Sequence, residues 1–140
     1  MSPRGLPRRL FLAGSLVLPA SFVWAQAPNT LSPREALDAA RAGTLLLIDI
    51  RTPEEWRDTG LAQGAVALDA EASAFEVRVA GLRLDHAGKR IALIDRSGAL
   101  SASIRAKLAG RGFRDIVVVR GGMLGPGGWL AEKLPVVAYP

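Results

Sequence analysis

The chain has 140 residues, 49% of them hydrophobic and 22% charged, which is enough for one domain with its own core. It contains no cysteine and one histidine, which excludes disulfides and thiolate nucleophiles and argues against the usual zinc sites. The formal charge is +5, but three of the 18 basic residues precede residue 28, leaving 15 against 13 acidic residues. A net +2 without a basic, aromatic-rich run argues against nucleic-acid binding.

Residues 1–27 have the pattern of an export signal. Three arginines open the chain, and the apolar core that follows, Leu10 to Trp24, is short for a membrane span. Ala25-Gln26-Ala27 then gives the small-x-small pattern of a cleavage site. The run R-R-L-F-L at 8–12 resembles a twin-arginine signal. A general secretion signal fits these residues nearly as well, and an uncleaved membrane anchor is the third interpretation. We expect a periplasmic or secreted protein whose mature domain is 28–140, with no stable membrane span after cleavage.

Helix starts are indicated by capping-box patterns, in which Ser or Thr is followed three residues later by Glu. The chain contains three of them: Ser32 with Glu35, Thr52 with Glu55, and Ser73 with Glu76. In the first two, proline at the first helical position strengthens the prediction. A fourth helix is predicted from Ser101 to Ala109, and a last helix after the glycine pair at 121–122.

Apolar runs between these helices predict strands, at Leu45–Ile48, Val66–Leu68, Ile91–Ile94 and Ile116–Val119. Uninterrupted runs of this kind are typical of strands buried on both faces. Strands that alternate with helices predict a single-domain α/β fold, with a parallel sheet flanked by helices on both faces.

The loop between the third strand and the fourth helix is the candidate site. A strand end, a tight loop and a helix N-terminus direct several backbone N–H groups at one point, which favours an anion. The predicted anion-binding residues are Asp95, Arg96, Ser97, Gly98, Ala99, Leu100 and Ser101. The chain has neither a G-x-G-x-x-G nor a G-K-[ST] motif, and no cofactor is expected.

The run D-R-S-G-A-L-S at 95–101 resembles the active-site loop of the rhodanese-like sulfurtransferases, in which C-R-x-G-x-R-S follows a strand. Asp95 stands where that family has its nucleophilic cysteine, and Leu100 stands where it often has a second arginine. Arg96, Ser97, Gly98 and Ser101 match the loop. The resemblance therefore implies the family's fold without its sulfur chemistry, and sulfurtransferase turnover is excluded because there is no cysteine.

Further motifs extend the resemblance over about 31–137. They are L-I-D-I-R-T-P-E-E-W at 47–56, G-L-A-Q-G-A at 60–65 with Leu61 in place of a histidine, and G-G-M at 121–123 followed by Trp129 and L-P-V at 134–136. The family implies that Asp49 and Arg51 form an ion pair that supports the core. The alternative is an aspartyl nucleophile of the haloacid dehalogenase type, but the run Asp49-Ile50-Arg51-Thr52 lacks that motif's second carboxylate.

Three roles remain open for Asp95. Its carboxylate could fill the anion site of the loop, act as nucleophile or base on a small anionic substrate, or serve only as a structural helix cap. We expect a non-catalytic module that binds a small anion or an unidentified periplasmic protein. An enzyme that uses Asp95 and a purely structural or regulatory module are the alternatives.

Overall fold

The computed structural model describes residues 29–140 and, before them, only Gly5 and Gly14. Apart from these two glycines, the predicted export signal at 1–27 lies outside the described residues. Within the described part, no helix is long and apolar enough to cross a membrane.

The described chain forms seven strands and four helices. The strands are β1 (Thr30–Leu31), β2 (Leu45–Asp49), β3 (Leu61–Ala62), β4 (Val66–Ala67), β5 (Arg90–Ile94), β6 (Ile116–Val119) and β7 (Val136–Val137). The helices are α1 (Pro33–Arg41), α2 (Pro53–Thr59), α3 (Phe75–Asp85) and α4 (Ala99–Ala109). Five strands form one parallel sheet in the order β1-β6-β5-β2-β4, and β3 pairs with β7 in a small antiparallel sheet.

The two faces of the parallel sheet bury different residues of the same strands. On one face, Leu45 and Leu47 pack in a cluster with Leu37 of α1 and Trp129. On the other face, the alternate strand residues pack with side chains from α3 and α4, including Val79 and Leu108. Because both faces are covered, the central strands carry the continuous apolar runs seen in the sequence. The predicted parallel α/β fold with helices on both faces is confirmed.

Two helices begin at the predicted caps. The Ser32 hydroxyl accepts the Glu35 N–H at 3.1 Å at the start of α1. At α2 the capping box is complete, because Thr52 Oγ1 accepts the Glu55 N–H at 3.4 Å and Glu55 Oε2 accepts the Thr52 N–H at 3.2 Å. Proline follows each cap, as predicted.

The predicted cap at Ser73 is wrong. Helix α3 begins at Phe75 after Ala74, which has φ +60° and provides no side-chain cap. A polar turn precedes this start, in which Asp69 Oδ1 accepts the Glu71 N–H at 2.8 Å. Helix α4 also begins earlier than predicted, at Ala99, where the left-handed Gly98 lets the chain turn directly out of the loop.

The predicted last helix is wrong as well. Residues 120–133 form successive turns and bends, because glycines recur through the segment and Pro126 interrupts it. The turns bring Trp129 into the core, where it is fully buried and its Nε1 donates to the Pro135 carbonyl at 2.9 Å. The short strands β1, β3 and β7 were not predicted.

Candidate functional site

The Asp95 carboxylate occupies the anion position of the loop. Asp95 directly follows β5 and is only 2% exposed. Its Oδ1 accepts the Gly98 N–H at 2.6 Å, and its Oδ2 accepts the Ser101 N–H at 3.1 Å. These two N–H groups, here called the N–H cradle, are the donors that a bound anion would use. A carboxylate of the chain itself therefore takes the place of a free anion.

The other predicted loop residues divide into exposed and buried positions. Arg96, Ser97, Ala99 and Leu100 are exposed. The Arg96 guanidinium lies 3.6 Å from Glu55 Oε1, and the Arg96 side chain is 68% exposed. Arg96 is thus an exposed surface charge that borders the site and forms a long ion pair with an acidic neighbour.

Ser101 is the buried polar residue of the loop. Its backbone N–H belongs to the N–H cradle, whereas its hydroxyl is fully buried and has no hydrogen-bond partner among the described residues. A buried hydroxyl without a partner costs about 1–3 kcal/mol of desolvation. Packing alone would therefore favour alanine at this position.

A glycine-rich segment that was not predicted as part of the site supports the loop from behind. The Met123 N–H donates to the Asp95 carbonyl at 2.8 Å, and the Leu124 N–H donates to the Arg96 carbonyl at 2.9 Å. Gly122 has φ +56°, and a Cβ there would lie 2.5 Å from the Asp95 carbonyl oxygen. The glycine pair at 121–122 was the sequence signal for this contact, since such a close backbone approach requires glycine.

Asp49 and Arg51 form a buried ion pair at the end of the neighbouring strand. Asp49 lies beside Ile94 in the parallel register, one residue before Asp95. Arg51 Nη2 donates to Asp49 Oδ2 at 2.9 Å, and Nε lies 3.1 Å from both carboxylate oxygens. Both side chains are almost completely buried.

Further hydrogen bonds satisfy the rest of this pair. Trp56 Nε1 donates to Asp49 Oδ1 at 3.0 Å. Arg51 also donates to Thr59 Oγ1 at 3.0 Å and to the Gly60 carbonyl at 3.1 Å. The pair therefore ties the end of β2 to the middle and the carboxyl end of α2. A carboxylate engaged in this way is poorly placed to attack a substrate.

A groove of about 240 Å³ lies over the loop, and we call it the site groove. Its charged lining residues are Arg51, Glu55, Asp69, Glu71, Asp95 and Arg96. Four carboxylates thus face two guanidinium groups, and that of Arg51 is already paired with Asp49. The site groove is net negative and favours a cationic group over a free anion. In residues 29–140, no three His, Cys, Asp or Glu side chains form a group that could hold a metal ion.

The parallel sheet and the strand–loop–helix site together define a rhodanese-like domain. The family model described as "Rhodanese-like domain" matches residues 32–125, and the chain belongs to this family. Because the chain has no cysteine, turnover through a cysteine persulfide is excluded. A search of curated proteins finds no significant match.

Solved structures share the fold at low sequence identity. A rhodanese-related protein from Thermoplasma volcanium is 23% identical with a TM-score of 0.64, and the match covers 80% of this chain and 100% of that one. A rhodanese-like domain protein from Staphylococcus aureus is 20% identical with a TM-score of 0.57, covering 79% of this chain and 100% of that one. A Rhodopseudomonas palustris protein described as a possible tyrosine phosphatase is 18% identical with a TM-score of 0.60, covering 78% and 84%.

Proposed function

We propose that this rhodanese-like domain is a non-catalytic binding module, in which Asp95 closes the anion position and the site groove docks a partner. One observation carries this function: both Asp95 oxygens accept N–H groups of the loop, while the side chain is 2% exposed. A carboxylate held in this way supplies the negative charge that a bound anion would bring. Free anions therefore bind the wild-type loop weakly.

The charge of the site groove indicates the kind of partner. Asp69 and Glu71 line it and form no ion pair within 29–140, while Glu55 is loosely paired with Arg96. Leu100 adds an exposed apolar side chain at the same place. A periplasmic protein that presents a lysine or arginine next to an apolar residue would match this surface.

Replacement of Asp95 by alanine tests whether the loop is closed by its own carboxylate. In Asp95→Ala the two N–H donors lose their acceptor, so we expect sulfate or phosphate to bind about tenfold more tightly or better, measured by isothermal titration calorimetry. Glu71→Ala is the control, because it removes a carboxylate from the site groove without freeing a loop N–H. Equal or weaker anion binding by Asp95→Ala than by the wild type would contradict the function proposed here.

The enzyme alternative has a different signature. An enzyme that uses Asp95 as acid, base or nucleophile would lose turnover of its anionic substrate in Asp95→Asn, whereas a docking module would retain its partner in that variant. The engagement of both carboxylate oxygens by backbone N–H groups favours docking. A structural or regulatory module would tolerate both Asp95→Asn and substitutions along the site groove.

We further propose that residues 1–27 direct export and are removed after Ala27. The basic start, the apolar core and the Ala-Gln-Ala pattern support this interpretation. The protein recovered from the periplasm is expected to begin at Pro28 in N-terminal sequencing, and a chain that begins at Met1 would contradict cleavage. Replacement of Arg8 and Arg9 by lysine should block export if the protein uses the twin-arginine route, and should leave export intact if it uses general secretion. Arg4→Lys is the control and should leave export intact by either route.

A further inference from the structure

The amino ends of the parallel strands carry a concentration of cations on the side of the sheet opposite the candidate site. Two cavities of about 380 and 540 Å³ share Arg90, Arg114 and Asp115 in their walls, so they adjoin. We define the basic edge as the cations that line them: Arg83, Lys89, Arg90, Arg105 and Arg114. Among the described residues that line the two cavities, Asp115 is the only acidic one.

Part of this charge has no partner inside the domain. Arg83 donates to the Arg114 carbonyl and Arg105 donates to the Ile116 carbonyl at 2.8 Å, so these two side chains have structural contacts. Lys89, Arg90 and Arg114 form no side-chain ion pair with any described residue. With five cations and one acid, the edge has a formal charge of +4, although 29–140 as a whole has 15 basic and 13 acidic residues. The rest of the domain is therefore net negative.

An exposed leucine stands among these cations. Leu84, near the end of α3, is 79% exposed and lines the larger cavity together with Arg83 and Lys89. Neither a free phosphate nor a nucleic-acid backbone would gain from an exposed aliphatic side chain. Cations that surround an apolar side chain are the combination that binds membrane interfaces, where the charges meet anionic headgroups and the apolar group enters the boundary.

The continuous described chain begins beside this edge. Asn29 lines the smaller cavity, and its carbonyl accepts the Val118 N–H at 2.9 Å. In sequence, the apolar run from Leu10 to Trp24 precedes Asn29 by only a few residues. Because this run is removed after Ala27 in the function proposed above, binding to a bilayer rests on the basic edge and Leu84 alone.

We propose that the basic edge binds the surface of an anionic phospholipid bilayer, with Leu84 entering the headgroup boundary. Binding depends on both parts, since the cations supply attraction to the headgroups and Leu84 supplies apolar contact. The site groove lies at the carboxyl ends of the strands and stays on the far side of the domain, open to solvent. The basic edge is thus a second surface, separate from the candidate site.

Vesicle sedimentation of residues 28–140 tests this inference. Residues 29–140 contain every described helix and strand and both core clusters, so the domain is tested without residues 1–27. We expect pelleting with vesicles of equal phosphatidylglycerol and phosphatidylcholine, little pelleting with phosphatidylcholine alone, and release between about 0.1 and 0.5 M salt. Each lost cation near the surface should weaken partitioning about fivefold, so Arg90→Gln with Arg114→Gln should weaken it roughly 30-fold.

Matched variants distinguish a local surface from net charge. Arg34→Gln with Arg57→Gln removes the same charge from exposed positions on α1 and α2, and should leave partitioning unchanged. Leu84→Gln should weaken it severalfold without altering the charge. If Arg90→Gln with Arg114→Gln does not melt as a folded domain, Lys89→Gln with Leu84→Gln serves instead. Three results would overturn the inference. Two of them are no pelleting with anionic vesicles and equal losses of partitioning in both arginine pairs. The third is tighter binding to an RNA or polyglutamate probe, if Leu84→Gln leaves that binding intact.

Discussion

Asp49→Ala is expected to lower the free energy of unfolding by about 3–5 kcal/mol, one of the largest single-residue losses in this domain. The Arg51 guanidinium would remain buried without its counter-charge, and the hydrogen bond from Trp56 Nε1 would lose its acceptor. Arg51 would keep only Thr59 Oγ1 and the Gly60 carbonyl as acceptors. The measurement is urea unfolding monitored by tryptophan fluorescence, to which the buried Trp56 and Trp129 both contribute.

Asp58→Ala is the control, since it removes an aspartate from an exposed position in α2. Its loss should stay within about 0.5 kcal/mol, the usual range for surface substitutions. Asp49→Leu with Arg51→Leu should recover part of the loss, because removing both charges avoids an uncompensated one. If Asp49→Ala unfolds with the midpoint of the wild type, the pair does not support the fold in this way.

Gly122→Ala is expected to destabilise the domain by about 2–5 kcal/mol, by combining two costs. A left-handed alanine costs about 1–2 kcal/mol, and a side chain forced into a packed site costs typically about 1–3 kcal/mol. At Gly122 the new Cβ would lie 2.5 Å from the Asp95 carbonyl oxygen and 2.7 Å from the Ser97 nitrogen. The melting temperature should fall by about 10–20 °C in differential scanning calorimetry.

Gly43→Ala separates the two costs. Gly43 also has a positive φ, +76°, but a Cβ there meets nothing within 4 Å. Only the conformational cost applies, so we expect a loss of about 1–2 kcal/mol. Equal losses at Gly43 and Gly122 would show that the loop and the glycine pair are not in tight contact.

The parts of the fold that were predictable have local causes. Helices α1 and α2 begin where a side-chain oxygen accepts an N–H group three residues later, an interaction between close neighbours in sequence. Strands β2, β5 and β6 show their burial on both faces as unbroken apolar runs. The strand–loop–helix geometry at Asp95 followed from the same signals, and the family motifs located it.

The parts that were not predictable depend on contacts distant in sequence. Strands β1, β3 and β7 have two residues each, too few for a periodic pattern, and they exist through their pairing partners. The predicted last helix failed where glycines and Pro126 already disfavour a helix, and the backbone-to-backbone packing of Gly122 on the Asp95 loop depends on residues distant in sequence. Three roles for Asp95 remained open in the sequence, because choosing among them requires the positions of the Gly98 and Ser101 N–H groups.

The position of β1 has a consequence for the order in which this protein is completed during synthesis. Among residues 29–140, the first strand, β1, lies at the edge of the parallel sheet and pairs only with β6, with Thr30 opposite Val118. A ribosome must therefore translate almost the whole domain before residues 30–31 find their partner. Until then residues 30–31 have no strand to pair with, so the parallel sheet cannot be completed before β6 has been made.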